Sequence, residues 1–353
     1  MTTAAKVGDA LVDYFLRTGS YENLAQTTGN EIVPASTTRA FAPSSFTPFA
    51  GLQVRAVGVA EGDVPTCYVY VTRSSRKAEK EIPESIGDVK IRMKKVGRLI
   101  VRPEIASASS NHGLAWRRNG RITCGSSIAP AGAHLSGTLG ALLKDKKGDL
   151  FALSNNHVIG DCNHAPQGQP ITSPSGRDVR VGGPPMVQFA ALDRLVELRS
   201  GDVHHVKAQF VDAAVALVSN PKLVSSWQAD LCDSPAAIAI PEEDLRVQKI
   251  GRTTGHTFGT IESKVRRVMA LPYKGSSFTA VVNYADVWVI RSNDAEEPFA
   301  LPGDSGSLIM DEEGTTAVAL LFAASQDGQR AWAASLSSVI RELGGGFTMA
   351  NGL

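Results

Sequence analysis

The chain has 353 residues, of which 43% are hydrophobic and 20% are charged, a composition typical of a globular protein with a sizeable core. Its 36 Lys and Arg residues balance 35 Asp and Glu residues, so we expect neither nucleic acid nor a membrane as a partner. A chain of this length predicts about two domains.

The N-terminal third of the chain predicts a small α+β domain. Residues 5–27 carry an amphipathic helical pattern, and residues 30–50 are rich in Ser, Thr, Pro and Ala, which indicates a loop. A charged segment at residues 74–84 predicts a short helix. Strand-like alternation is found at residues 52–59, 67–72 and 89–93. We predict that residues 1–105 form an N-terminal regulatory or recruitment domain, followed by a connector at residues 106–121.

The rest of the chain, residues 122–353, predicts a mainly β domain. Short apolar runs alternate with Gly, Pro, Asn and Asp, which indicates a β-sandwich or a β-barrel. The predicted strands are residues 137–143, 150–153, 211–218, 236–240, 247–250, 280–283, 287–290, 307–310, 316–322 and 330–334. A short C-terminal helix is predicted at residues 335–343, because three glycines follow it.

The sequence contains neither a membrane span nor a signal peptide pattern. The longest apolar run, residues 317–324, is far shorter than the ~20 residues that cross a bilayer. Cys67, Cys124, Cys162 and Cys232 are scattered without a CxxC pair, which favours reduced thiols in the cytoplasm. No residue cluster suggests a metal site, so we expect no metal and no cofactor.

The most informative motif is Gly303-Asp304-Ser305-Gly306-Ser307. A serine flanked by glycines on a tight turn is exposed and rigidly held, and a substrate can approach the backbone closely. The turn also directs the amides of Gly303 and Ser305 to one side, where they could stabilise an oxyanion. The same composition is common in ordinary turns, so a nucleophile also requires a base and an acid elsewhere in the chain.

His157 and Asp212 are the candidates for the base and the acid. His157 follows an apolar run and the pair Asn155-Asn156, which places it at the end of a strand. The alternative is a structural histidine. Asp212 is the only carboxylate in the apolar run at residues 211–218, where an unpaired charge would be costly. A buried acid there would orient the imidazole and favour its protonated state, whereas the alternative is an Asp that caps the backbone at a strand start.

The order His157, Asp212, Ser305 and the surrounding motifs resemble the trypsin-like serine peptidases. The motifs are Ser-Asn-Asn-His-Val, Val-Asp-Ala-Ala-Val and Gly-Asp-Ser-Gly-Ser, and the resemblance covers about residues 122–343. A further stretch, residues 251–261, is similar to the bacterial members of the family. The resemblance implies two antiparallel six-stranded β-barrels of the chymotrypsin type. The first barrel would carry His157 and Asp212, and the second would carry Ser305.

The resemblance also implies a role for each residue. His157 would act as general base and then as general acid, Asp212 would fix its tautomer, and Ser305 would attack the scissile carbonyl. The amides of Gly303 and Ser305 would form the oxyanion hole. If His157 is the base, activity should fall on acidification through about pH 6.5, where an unperturbed imidazole titrates.

Two positions bear on location and processing. Val158 follows His157 where the secreted relatives have a disulfide-bonded cysteine, which agrees with an intracellular enzyme. In many relatives the Asp before the nucleophile, here Asp304, binds a new N-terminus that cleavage releases. Arg121-Ile122 slightly resembles such a cleavage site, and the sequence leaves open whether it is cut.

The specificity pocket is predicted from segments on both sides of Ser305. The segment Phe322-Ala323-Ala324 would form one wall and Phe299 the base, which predicts an open, apolar pocket. Glu296 or Glu297 could instead select a Lys or Arg side chain.

We therefore predict a cytoplasmic serine endopeptidase that acts on a protein or peptide substrate, with the N-terminal domain as the site for a regulatory partner. Two alternatives would use the same fold. One is a catalytically silent binding module, and the other is a hydrolase of small esters with the same triad. All three triad positions are filled, which favours an enzyme over the silent module.

Overall fold

The computed structural model describes residues 3–20, 49, 52–97, 99–101, 114–201, 206–274 and 279–353. The end of the first predicted helix, the predicted loop at residues 30–50 other than Phe49, and the first half of the predicted connector lie outside these ranges. The domain boundaries at residues 105 and 121 therefore stay predictions. Within the described ranges, no helix is long and apolar enough to cross a membrane.

The N-terminal part of the chain is built from two helices and short strands. Its long helix buries one face, formed by Val7, Leu11 and Phe15, in a cluster shared with the strands, and Thr3 caps its first turn. The elements are α1 (Ala4–Arg17), β1 (Gln53–Ala60), β2 (Thr66–Arg73), α2 (Arg76–Glu81), β3 (Ser85–Ile86), β4 (Val89–Lys95) and β5 (Leu99–Ile100). Strand β2 pairs antiparallel with β1 and parallel with β4.

The first barrel follows in the chain. Its region contains β6 (Arg117–Arg118), β7 (Arg121–Cys124), β8 (Ser127–Pro130), β9 (Gly137–Thr138), β10 (Ala141–Lys144), β11 (Leu150–Ser154), α3 (Asn156–Ile159), β12 (Pro170–Ser173), β13 (Val187–Leu195) and β14 (Ala214–Val218). The barrel strands pair antiparallel in the order β10-β11-β14-β13-β12-β8-β9. Strands β9 and β10 do not pair with each other, so the sheet does not close on itself and this unit is a half-barrel.

The remaining elements form the second barrel and its attachments. They are β15 (Val224–Gln228), β16 (Cys232–Asp233), β17 (Ala237–Ile238), β18 (Arg246–Gly251), β19 (Gly255–Val265), β20 (Met269–Lys274), β21 (Thr279–Tyr284), β22 (Trp288–Ser292), β23 (Leu308–Asp311), β24 (Thr316–Ser325), β25 (Arg330–Ser335), α4 (Leu336–Glu342) and β26 (Thr348–Met349). Six strands close in the order β18-β23-β24-β25-β22-β19, with β18 paired to β19. Strands β20 and β21 form a separate hairpin inserted between β19 and β22.

The predicted mainly β double barrel with a short C-terminal helix is confirmed. The second barrel has the six antiparallel strands that the resemblance implies, whereas the first is left open at one seam. The sequence did not predict β13 or β19. Polar and charged residues such as Asp193-Arg194 and His256-Thr257 interrupt the apolar runs there, and these residues are exposed or half-buried in the structure.

Strand pairing joins the N-terminal unit to the second barrel. Gly58 of β1 lies opposite Val265 of β19, so the N-terminal strands extend the barrel sheet. Ile100 of β5 lies opposite Ala324 at the end of β24. One buried hydrophobic cluster includes side chains from the N-terminal unit and from both barrels, so the three parts share a core.

Candidate active site

His157 lies in the one-turn helix α3 directly after strand β11, where the sequence predicted a strand end. The preceding Asn155-Asn156 pair fixes this turn. Asn155 Nδ2 donates to the carbonyl of Asp212 (2.6 Å), and Asn156 Nδ2 donates to the carbonyl of Val196 (2.7 Å). The side chain of His157 is fully buried.

Asp212 binds both the ring and the main chain of His157. Asp212 Oδ2 lies 2.5 Å from His157 Nδ1, and Oδ1 accepts the main-chain N–H of His157 (3.2 Å). Oδ2 also accepts the hydroxyl of Tyr273 (2.8 Å). Asp212 lies just before β14 and is fully buried. These three donors offset the cost of burying its charge.

The contact with Asp212 fixes the tautomer of His157. An ionised carboxylate can only accept a hydrogen bond, so Nδ1 carries a proton, and in the neutral imidazole the lone pair is then on Nε2. Nε2 is buried and has no hydrogen-bond partner within the described residues. A neutral imidazole with an unoccupied Nε2 is the form that a general base requires.

The turn that carries Ser305 docks on the first barrel through its main chain. The amide of Thr138 donates to the carbonyl of Ser305 (2.9 Å). The backbones are so close that a Cβ on Gly140 would lie 2.1 Å from the carbonyl oxygen of Gly306. Gly306 itself has φ 95°, a conformation that favours glycine.

The same turn also lies against Ser154, the last residue of β11. A Cβ on Gly306 would lie 2.4 Å from Ser154 Oγ, and Ser154 is three residues before His157 in the chain. Ser305 Oγ itself lies 3.5 Å from the carbonyl of Phe322, at the long limit of a hydrogen bond. The hydroxyl is therefore only weakly held in this orientation.

Gly303 and Ser305 provide two main-chain donors beside the nucleophile. Neither amide has an acceptor in the part of the chain that the structure describes. The carbonyl of Pro302 accepts the hydroxyl of Thr253 (2.8 Å), and the planar trans peptide turns the N–H of Gly303 to the opposite side. Gly303 has φ 101°, and a Cβ there would lie 2.4 Å from Thr253 Oγ1. This arrangement can bind an oxyanion.

Asp304 is held by the β18–β19 turn and by a buried lysine. Its carboxylate accepts the amides of Thr253 (2.7 Å) and Leu301 (2.9 Å), and both the amide (3.1 Å) and hydroxyl (2.8 Å) of Thr254. Lys249 Nζ lies 3.5 Å from Asp304 Oδ2, and both side chains are fully buried. Burial lowers the pKa of Lys249, while the charge of Asp304 acts in the opposite direction. The lysine and these donors fix the residue next to the nucleophile.

Lys249 bears on whether the chain needs to be cleaved after Arg121, as the sequence left open. Ile122 lies within β7, is 2% exposed, and pairs with strands on both sides. Asp304 already has in Lys249 the cation that a released N-terminus would supply. Cleavage after Arg121 is therefore not needed to balance the charge of Asp304.

A second buried ion pair joins the two barrels beside the site. Arg252 of the second barrel donates through Nε and Nη2 to the two carboxylate oxygens of Asp178 in the first barrel (2.7 and 2.5 Å). Asp178 also accepts the hydroxyls of Ser127 (2.5 Å) and Ser175 (2.9 Å). Planar bidentate pairs of this kind fix the relative orientation of the groups that carry them.

The four predicted pocket residues are all buried. Phe299 and Phe322 are fully buried, and the ring of Phe322 stacks on Tyr284 with centroids 4.8 Å apart. Ala323 and Ala324 are nearly buried, and Ala324 pairs with β5. Their role in substrate binding stays a prediction.

The two glutamates considered as selectors of basic side chains differ from these four residues in exposure. Glu296 and Glu297 are exposed. Glu297 lines a cavity of about 670 Å³ together with Thr253, His256 and Leu301. The cavity reaches the Ser305 turn through Thr253, whose hydroxyl donates to the carbonyl of Pro302.

Two groups at the site were missed by sequence reasoning. Tyr273 lies on the inserted hairpin and contacts the acid, and Lys249 lies in β18 and contacts Asp304. The local sequence of Lys249 gave little signal, because β18 also contains Arg246 and Gln248 and so does not read as an apolar strand with one buried charge. Nothing in the local sequence of Tyr273 distinguishes it from an ordinary core tyrosine.

No protein-family model matches the chain, and no curated protein matches it. Solved structures do resemble it. The Nocardiopsis protease is 14% identical, with 65% of this chain and 98% of that chain covered and a TM-score of 0.41. Protease A of Thermobifida fusca is 12% identical (66% and 100% covered, TM-score 0.42), and the chymotrypsin of Cellulomonas bogoriensis is 13% identical (65% and 97% covered, TM-score 0.40). These are chymotrypsin-fold serine proteases. Because identities and scores are this low, the assignment of the fold rests on the strand order given above.

Proposed function

We propose that this chain, a chymotrypsin-like double barrel, is a serine endopeptidase that hydrolyses peptide bonds through an acyl-enzyme on Ser305. One observation carries the proposal. His157 has Nδ1 held by buried Asp212 and Nε2 left free, and it follows the strand on which the Ser305 turn docks. A nucleophile, a base and an orienting acid are the three parts that acyl transfer requires.

The residues then act in sequence. Ser305 Oγ attacks the substrate carbonyl as His157 Nε2 takes its proton, and Asp212 stabilises the imidazolium that forms. The amides of Gly303 and Ser305 bind the tetrahedral oxyanion, and loss of one such donor typically slows catalysis ~10²- to 10³-fold. His157 returns the proton to the leaving amine. A water molecule, activated by the same histidine, then hydrolyses the acyl-enzyme and releases Ser305.

The described conformation is closed, and this supports a gating role for the N-terminal unit. Ser305 is 7% exposed and His157 is 0% exposed. Strand β5 pairs with β24 at Ala324, two residues from the carbonyl that faces Ser305 Oγ. An extended peptide binds a protein most readily by adding to a free strand edge, and β5 occupies this edge. We include in the proposal that β5 must leave β24 before a substrate enters, and that a regulatory partner acts on the N-terminal unit.

The gating is tested by comparing two substitutions at one position of β5. Ile100→Pro removes the main-chain N–H and disfavours strand pairing, whereas Ile100→Ala leaves the main chain unchanged. We expect Ile100→Pro to raise the rate at which a fluorophosphonate labels Ser305 at least several-fold. Ile100→Ala should react like the wild type. Equal rates for Ile100→Pro and Ile100→Ala would show that β5 does not limit access.

The catalytic proposal is tested by the same labelling with two serine variants. Ser305→Ala should abolish labelling, while Ser307→Ala should keep it, because Ser307 Oγ donates only to the carbonyl of Asp304. Absence of labelling in both the wild type and Ile100→Pro would favour the silent binding module. Labelling without cleavage of any member of a peptide library, together with turnover of small esters, would favour the ester hydrolase.

The cytoplasmic location is also part of the proposal. The four cysteines are free, and Cys67, Cys124 and Cys162 are buried. A reducing compartment is where unpaired thiols are stable. Thiol counting on protein isolated from its native cells without reductant should find four free thiols, and a disulfide would contradict this location.

A further inference from the structure

A line of hydrogen bonds reaches the catalytic acid from the inserted β20–β21 hairpin. The hydroxyl of Tyr273 donates to Asp212 Oδ2 (2.8 Å), and the hydroxyl of Tyr284 lies 2.5 Å from that of Tyr273. Gln209 Nε2 donates to the hydroxyl of Tyr284 (3.3 Å). Tyr273 is 1% exposed and Tyr284 is fully buried, so these contacts are shielded from water.

The direction of every bond in this line is determined. The carboxylate of Asp212 only accepts, so Tyr273 donates to it and its oxygen accepts the hydroxyl of Tyr284. The oxygen of Tyr284 in turn accepts the amide of Gln209. Burial, and next the charge of Asp212, raise the pKa of both tyrosines well above the usual value. Both hydroxyls therefore stay protonated donors and do not relay protons.

Tyr273 and His157 share one oxygen of the acid. Asp212 Oδ2 accepts the Tyr273 hydroxyl and the Nδ1–H of His157, and the two rings meet edge to face with centroids 5.9 Å apart. The other titratable group near this carboxylate is the thiol of Cys162, whose pKa is raised by burial and then by Asp212. The Tyr273 hydroxyl is an uncharged donor that shares Oδ2 with His157. It therefore controls both the orientation of the carboxylate and how much negative charge Oδ2 presents to the imidazole.

We propose that Tyr273 is a positioning residue of the triad, with Tyr284 as its support. It acts through Asp212, and the assignment rests on the proposed endopeptidase function. The hairpin is inserted in the second barrel, whereas His157 and Asp212 belong to the first. Tyr273 thereby lets the second barrel, which carries the nucleophile, also fix the acid that orients the base.

Activity measurements on three tyrosine variants test the role. Tyr273→Phe removes the donor to Asp212 and should lower kcat about 10- to 100-fold with little change in KM, the size expected for one hydrogen bond to a charged group. Tyr284→Phe leaves that donor in place but withdraws its support, so kcat should fall only a few-fold. Tyr70→Phe is the control: Tyr70 is also fully buried and its hydroxyl also meets a carboxylate, that of Glu262 (2.9 Å), away from the triad. Its kcat should match the wild type.

A spectroscopic measurement makes the test independent of peptide cleavage. In a Ser305→Ala background, the proton on His157 Nδ1 gives a low-field NMR resonance that reports its bond to Asp212. Tyr273→Phe should shift this resonance, Tyr284→Phe should shift it less, and Tyr70→Phe should leave it unchanged. If the shifts appear but the wild type cleaves no peptide, the positioning role stands and the endopeptidase proposal fails.

Two results would overturn the positioning role. One is a Tyr273→Phe variant with unchanged resonance and unchanged kcat. The other is an equal loss of kcat in Tyr273→Phe and in Tyr70→Phe, which would indicate general loosening of the core. If Tyr273→Phe does not fold, Tyr284→Phe decides alone, since an unshifted resonance in that variant contradicts the support that the role requires.

Discussion

Replacing Lys249 by Met should destabilise the protein strongly, because it leaves the charge of Asp304 buried without its cation. The two charged atoms lie 3.5 Å apart and both side chains are fully buried. At this distance two unit charges interact with about 5 kcal/mol at an effective dielectric constant of about 20. The four hydrogen bonds that remain on Asp304 offset part of the loss. We expect the free energy of unfolding to fall by about 3–5 kcal/mol, measured by urea denaturation at pH 7.

A double-mutant cycle isolates the contribution of the pair. Asp304→Asn removes the charge and keeps much of the shape, so the double variant with Lys249→Met should lose about 2 kcal/mol less than the sum of the single variants. Lys264→Met is a matched control, because Lys264 pairs with Asp286 at the surface and should cost less than about 1 kcal/mol. A loss below about 1 kcal/mol for Lys249→Met, or additive single effects, would refute the reasoning about this pair.

Three further predictions follow from buried groups. Arg252→Met should lower the free energy of unfolding by about 3–5 kcal/mol in urea, since Asp178 would stay buried without the bidentate cation that faces it; an unchanged midpoint would contradict this. Burial raises the pKa of the Cys124 thiol from 9.0 to about 12. The contribution of this thiol to the free energy of unfolding is therefore complete below pH 9 and is lost as the pH rises towards 12, by about 1.4 kcal/mol at pH 10. Denaturation measured from pH 8 to 10 should show that the free energy of unfolding depends less on pH in Cys124→Ala than in the wild type. Gly140→Ala should slow fluorophosphonate labelling of Ser305 about 10²-fold, because its Cβ would lie 2.1 Å from the carbonyl oxygen of Gly306. Gly176→Ala is the control and should react like the wild type, because its Cβ would meet nothing within 4 Å.

The three candidate catalytic residues could be selected from the sequence because each has its own local signal. Ser305 lies in a glycine-flanked turn, His157 follows a strand, and Asp212 is a lone carboxylate in an apolar run. The structure brings His157 and Asp212 into contact and docks the Ser305 turn on the strand before His157. Their catalytic roles remain for the labelling experiment to test.

The supporting groups were not predictable in the same way. Tyr273 reaches Asp212 across 61 residues of sequence, and nothing in the sequence of β20 indicates this contact. The seam in the first barrel and the pairing of β5 with β24 are likewise decided by tertiary packing, which overrides local β-propensity. Local patterns identify what a residue is suited to contact, whereas only the fold determines which distant residue it meets.

The contact between Gly140 and Gly306 has a consequence for how this protein could diverge. At this contact the main chain of the Ser305 turn lies directly against the main chain of the first barrel, so neither position 140 nor position 306 can take a larger residue without moving the two backbones apart. Substitutions in the surrounding loops can therefore accumulate without changing this contact. A lineage or a designer could alter those loops while the junction between the barrels is inherited intact, provided that both glycines are retained.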